Sequence, residues 1–119
     1  MVNRRLASFG FAWDGIVHIA RTQPNWRIHV VLAALAVALG LALRLQPFEL
    51  ALLALTIGFV LALECINTAV EAAIDAQAAP PSFAAKCAKD CAAAGVLVGS
   101  VTAVVVALLE FGPRLFLLL

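Results

Sequence analysis

The sequence predicts an all-α membrane protein: an N-terminal amphipathic surface helix followed by three transmembrane helices. Composition is the first ground. The 119 residues are 65% hydrophobic and 13% charged, whereas soluble domains are about 45–50% apolar and about 25% charged. Mean hydropathy is +1.07. The second ground is pattern. The apolar residues gather in long runs interrupted at Gln46-Pro47 and at Pro80-Pro81, while the first twenty residues keep a helical period with charges throughout. At this length residues 1–119 form a single domain with few spans. A net charge of +1 gives no overall basic field, and no nucleic-acid partner is expected.

Residues 4–22 read as the amphipathic helix. Leu6, Phe9, Trp13, Ile16, Val17 and Ala20 recur at a spacing of 3–4, with Asp14, His18 and Arg21 opposite. Aromatic residues flanked by arginines suit the headgroup boundary. Charges interrupt Met1 to Gln23, so no cleavable leader is expected. Pro24 ends this helix, because a residue before proline is pushed out of the α region.

The first span is predicted over 28–45, with Asn25, Trp26, Arg27 and His29 at its mouth. His18 and His29 read as interfacial hydrogen-bonding residues. The very short connection at Gln46-Pro47 makes the first and second spans antiparallel neighbours. The second helix, 48–76, is too long for the hydrocarbon core alone and projects beyond it. The third runs over 83–109. Its Gly95 and Gly99 form a GxxxG that admits a close helix neighbour, and Gly112-Pro113 breaks the chain into an apolar tail. Cys65, Cys87 and Cys91 read as reduced packing residues. Arg4, Arg5, Arg21 and Arg27 precede the first span, and Lys86 and Lys89 follow the second. The positive-inside rule therefore places the N-terminus in the cytoplasm and the C-terminus outside.

The second helix carries the chemistry. Glu64, Asn67, Glu71 and Asp75 are spaced 3, 4 and 4, so they fall within about 80° of one another on a helix. Three carboxylates and an amide on one face of an apolar helix need a cation, a cationic ligand or water. Glu71 and Asp75 can aim oxygens at one divalent cation. Mg²⁺ commonly takes one or two protein carboxylates and completes its shell with phosphate oxygens and water. Lys86 and Lys89 open the next helix on the same side, as suits phosphate, and Glu64 is a candidate general base. Together these groups describe phosphoryl transfer to a lipid hydroxyl. An ion pathway along the stripe, or a structural network with Lys86, Lys89 and Arg27, remains open on spacing alone. GxxxxGK[ST] and GxGxxG are both missing, so any ATP would be held by helix-borne side chains.

The block Leu63-Glu64-Cys65-Ile66-Asn67-Thr68-Ala69-Val70-Glu71-Ala72-Ala73-Ile74-Asp75, followed by Ala88-Lys89-Asp90, resembles the small bacterial diacylglycerol kinase and undecaprenol kinase family. Ser8 to Ile16 and Asn25-Trp26-Arg27-Ile28-His29 are similar to its N-terminal signatures. The likeness spans about residues 4–105. It implies ATP- and Mg²⁺-dependent phosphorylation of a membrane lipid alcohol, diacylglycerol or undecaprenol, in the bacterial plasma membrane. It also implies a homotrimer with active sites shared between protomers. By the same likeness Glu64 matches the proton acceptor, and Glu71 a metal ligand that also meets the nucleotide. Asn67 and Asp75 match residues that organise the site, Asn67 toward the lipid and Asp75 toward the nucleotide. Lys89, Asp90 and Arg4 match nucleotide contacts. Trp13, Asn25, Trp26 and Arg27 fall in stretches lining the lipid headgroup.

The chain departs from that pattern at three positions. Gln23 stands where the family has a second metal carboxylate, and an amide is a neutral, weaker Mg²⁺ ligand. Phe11 stands in place of a tyrosine near the nucleotide, and Ser82 in place of a histidine. Gln23 and Phe11 motivate a second reading, a kinase-like membrane protein without activity.

Overall fold

The computed structural model describes the backbone of residues 2–77 and 79–118, and side chains from residue 7 onward. Its elements are α1 (Val2–Thr22), α2 (Pro24–Ala42), α3 (Pro47–Asp75) and α4 (Phe83–Phe116). No strand occurs among the described residues. α2, α3 and α4 are each long and apolar enough to cross a membrane, with mean hydropathies of 1.6, 2.1 and 2.4. Their large apolar side chains are mostly exposed, Leu35, Leu55, Val98 and Leu108 among them. On an all-helical chain of this composition those faces meet lipid, where every backbone polar group is satisfied within its own helix. The chain is an integral membrane protein.

Two helices differ from their expected limits by more than two residues, and a proline bears on each. Pro24 opens α2 as well as closing α1, so the first span is 24–42 rather than 28–45. Gln23 alone is extended, at φ −106° and ψ 108°. Its N–H still reaches Ile19 O at 2.8 Å to finish α1. Proline at the first helical position costs nothing there, since its missing N–H would be unpaired anyway.

Pro113 does not break α4, which continues to Phe116 rather than stopping at 109. A proline inside a helix removes one hydrogen bond and crowds the preceding turn. Here the neighbouring contacts hold that turn. Arg114 Nη1 donates to Glu110 O at 2.8 Å, and Nη2 donates to Glu49 Oε2 at 2.7 Å. Phe111 is buried against Leu45 and Leu53.

The turn between α2 and α3 sets how the two helices face each other. Arg44 takes the left-handed φ of 54°. Leu45 N–H donates to Gly40 O at 2.9 Å and Arg44 N–H to Leu41 O at 3.1 Å. This is the Schellman closure of a helix end. Leu45 folds back over Gly40, where a Cβ would lie only 2.8 Å from Leu45 Cδ1, so any larger residue here would have to displace the Leu45 side chain. Gln46 N–H then donates to Glu49 Oε2 at 2.7 Å, which satisfies an exposed donor at the start of α3.

α4 packs along α3 more extensively than α2 does. Ser82 caps α4 by accepting from Ala85 N–H at 3.1 Å. Gly99 lets the pair approach: a Cβ there would sit 2.7 Å from Leu63 Cδ1. Ion pairs close the two ends, Glu49 with Arg114 at 2.7 Å and Asp75 with Lys89 at 2.8 Å. Twenty-six residues of α3 separate Glu49 from Asp75, or about 39 Å of helix. Both pairs thus fall near the edges of a hydrocarbon core about 30 Å thick.

Candidate active site

Most polar residues of α3 lie in its C-terminal half, and depth divides them. Glu64 is 3% exposed, whereas the Asp75 side chain is 66% exposed. Between them Asn67 Nδ2 donates to Glu71 Oε1 at 3.2 Å, one helical turn apart. Asn67 Oδ1 is buried with no hydrogen-bond partner. Thr68, also buried, donates to Glu64 O at 2.9 Å, so its hydroxyl is occupied by its own helix.

α2 and α4 complete a cavity around Glu64. It measures about 360 Å³, and Asn25, His29, Glu64, Asn67, Leu97 and Ser100 are among its lining residues. His29 Nε2 stands 3.1 Å from Glu64 Oε1. That is close enough for charge pairing, but Oε1 receives no aligned hydrogen bond. A second cavity of about 390 Å³ shares His29 and Ser100 with the first and continues along the helices through Leu32, Leu39, Val60, Val104 and Phe111. It is almost wholly apolar. Its remaining hydroxyl, on Thr56, donates to Leu52 O at 2.8 Å.

The pairing of His29 with Glu64 is dictated at the far end of the helices. Gly40 lies against Leu53, where a Cβ would be 3.5 Å from Leu53 Cδ2. Eleven residues back along α2 from Gly40 is His29, and eleven residues forward along α3 from Leu53 is Glu64. In two antiparallel helices of equal rise, the tight turn therefore brings His29 opposite Glu64 about 16 Å away.

The oxygen donors suit a hard cation. Glu71 supplies a carboxylate, and Asn67 Oδ1 beside it is buried and unpartnered. Among the described residues no three His, Cys, Asp or Glu side chains converge as a metal cage. Mg²⁺ needs no such cage when phosphate and water complete its shell, so this donor set fits it. Lys89 is paired with Asp75, and Lys86 with Asp90. Both pairs are largely solvent-exposed, and such pairs contribute little to stability. A phosphate can therefore compete for either lysine.

Other sequence candidates stand apart from this cluster within one chain. Phe11 and Trp13 on α1 are 75% and 65% exposed. Arg27 is exposed and Trp26 half-buried. Gln23 occupies the break between α1 and α2, and no described contact joins it to Glu71. The side chain of Arg4 lies outside the described residues. The three cysteines are free. His29 and Ser100 are the additions. His29 sits four residues after Asn25, on the same face of α2, but its partner on α3 follows only from the turn.

Comparison with known proteins gives the family. Residues 10–111 match the family model described as prokaryotic diacylglycerol kinase. The chain is 39% identical over 102 residues to a diacylglycerol kinase of Synechocystis sp., covering 85% of this chain and 58% of that protein. It is 36% identical over 114 residues to the undecaprenol kinase of Bacillus subtilis, covering 96% and 93%. The chain thus spans little more than half the length of the first relative and nearly all of the second.

Proposed function

This chain belongs to the prokaryotic diacylglycerol kinase family, and from that premise we propose that it is a lipid kinase transferring the γ-phosphate of ATP to the hydroxyl of a membrane lipid. The observation that carries the reading is Glu64, 3% exposed and lining a cavity that Asn25, His29, Asn67 and Ser100 also reach and that adjoins an almost wholly apolar one. A lipid with its tail in the apolar cavity presents its hydroxyl to Glu64. Glu64 receives the hydroxyl proton as the oxygen forms its bond to the γ-phosphorus and the bond to the ADP oxygen breaks. Asn67 and Asn25 line the same cavity and orient the headgroup, and Trp13, Trp26 and Arg27 border it in the assembly.

Glu71, with Asn67 Oδ1 beside it, would hold Mg²⁺, which when bound neutralises phosphate charge. Lys89 leaves Asp75 to meet the nucleotide, and Asp75, Asp90 and Arg4 complete that contact. In such transfers the protein mainly positions groups and balances charge. Phe11 and Gln23 are part of this reading only through the family likeness.

The assembly is a homotrimer with shared sites. Exposed residues of α1 and α2 in one chain support that reading, since they need a neighbour or a headgroup. α1 lies on the membrane surface with its aromatic side chains in the interface. The N-terminus is cytoplasmic and the C-terminus outside, as the arginines of residues 4–27 favour.

The test is transfer from labelled ATP to diacylglycerol and to undecaprenol, side by side, in detergent. These are the acceptors in the relatives' names. Glu64→Gln should lower turnover by about 10²–10⁴-fold, the usual worth of a general base, while the oligomer elutes unchanged. A Glu64→Gln protein with near-normal turnover refutes the base assignment. No transfer to either lipid, with Gln23→Glu also inactive, favours the inactive reading.

A further inference from the structure

Glu64 and His29 are the two titratable side chains lining the cavity around Glu64, and the mechanism above uses only the first. We propose that His29 is a positioning residue for the transfer: its Nε2 holds Glu64 Oε1 and so turns the other carboxylate oxygen toward the acceptor hydroxyl. The proposal rests on the lipid-kinase reading and on Glu64 as its base.

Three observations support it. Nε2 lies at an ion-pair distance of 3.1 Å from Oε1, and that buried oxygen has no hydrogen-bond partner, so a small turn of the imidazole gives it one. A carboxylate held by one donor loses the rotational freedom that blurs a reactive geometry, and misplacement by about 1 Å costs on the order of 10²-fold in rate. Second, His29 lines both cavities. Its contact with Glu64 therefore falls where a lipid's head meets its tail, which is where the reacting hydroxyl must be. Third, the pairing is written into the backbone. The Gly40–Leu45 closure and the Gly40–Leu53 contact set it from the opposite end of the helices.

The donor is what matters, so the variants separate donor from bulk. Glutamine can place an N–H near the position of Nε2. Asparagine is polar but too short, and leucine is apolar and of similar size. His29→Gln should keep kcat within about threefold, whereas His29→Asn and His29→Leu should lose about 10–100-fold in kcat with KM for ATP and lipid little changed. Adding His29→Leu to Glu64→Gln should cost nothing further, because two residues acting through one atom are not additive. Size-exclusion elution checks that each variant assembles, and His29→Asn retains a polar side chain should His29→Leu fail to insert.

The outcomes are distinct. A His29→Leu or His29→Asn enzyme with normal kcat overturns the positioning role. So does a raised KM for lipid at normal kcat, which would make His29 an acceptor contact. An active Glu64→Gln enzyme removes the underlying reading instead. An inactive Glu64→Gln beside a fully active His29→Leu removes only the role of His29.

Discussion

The two ends of the α3–α4 pair carry the same device, an acid on α3 bonded to a base on α4, in opposite settings. At the turn end Glu49 and Arg114 are 27% and 29% exposed, and both also bond backbone groups: Glu49 takes Gln46 N–H, and Arg114 donates to Glu110 O. Their hydrogen bonds are spent on closing helix ends. At the other end Asp75 and Lys89 are 66% and 37% exposed and bond only to each other in the contacts described. Behind them Glu64 Oε1 and Asn67 Oδ1 are buried without hydrogen bonds. One end uses its polar groups to finish the fold. The other leaves them unfinished, as a ligand site must.

The sharpest way to break this contrast is to move the helices apart between the two ends. Gly99 admits Leu63, the neighbour of Glu64, and a β-carbon there meets Leu63 Cδ1 at 2.7 Å. Overpacking of this kind costs about 1–3 kcal/mol. Gly99→Val should therefore lower the thermal midpoint, and it should lower kcat as well if the helices part, because Leu63 adjoins Glu64. Normal kcat at reduced stability would mean that the site does not depend on the close α3–α4 approach. Gly95→Ala is the control, since its nearest contact would be an ordinary 3.9 Å.

The legibility of the sequence follows the same division. Hydropathy alone locates the three spans, and a spacing of 3, 4 and 4 places Glu64, Asn67, Glu71 and Asp75 on one face, because both signals are local to one helix. Pro24 and Pro113 are less legible. Pro24 reads as a stop, but proline is equally suited to begin a helix, and both happen within one residue. Pro113 reads as a breaker, yet Arg114 and Phe111 make contacts across the structure that hold its turn. His29 is the clearest case. Its type and position are visible, but its partner lies thirty-five residues away and is selected by a left-handed Arg44 that no local pattern announces.

Glu110 is the exception that sharpens the comparison. It lies at the turn end, 6% exposed, with neither carboxylate oxygen hydrogen-bonded. If that end serves only the fold, this carboxylate is a burden. Replacing buried charge with a well-packed apolar group is commonly neutral or stabilising, so Glu110→Leu should raise stability by about 1 kcal/mol and leave kcat unchanged. A fall in the thermal midpoint would mean that a neighbouring subunit bonds Glu110 in the assembly.

The smallest expected effects come from neutralising the acid of each pair in turn. Glu49→Gln removes the charge from the acceptor that both Gln46 N–H and Arg114 Nη2 use, so the start of α3 and the turn after Pro113 are weakened together. Its thermal midpoint should fall by a few degrees, with KM for ATP unchanged. Asp75→Asn breaks a pair whose members are both substantially solvated, and exposed pairs of this kind contribute little to stability. Its thermal midpoint should not move. If Asp75 and Lys89 meet the nucleotide together, KM for ATP should rise a few-fold in the same variant. Thermal melts and ATP titrations on the two proteins decide the matter. A stability loss in Asp75→Asn equal to that in Glu49→Gln, with no change in KM, would make the two ends equivalent clamps and leave the binding role to Glu64, Asn67 and Glu71 alone.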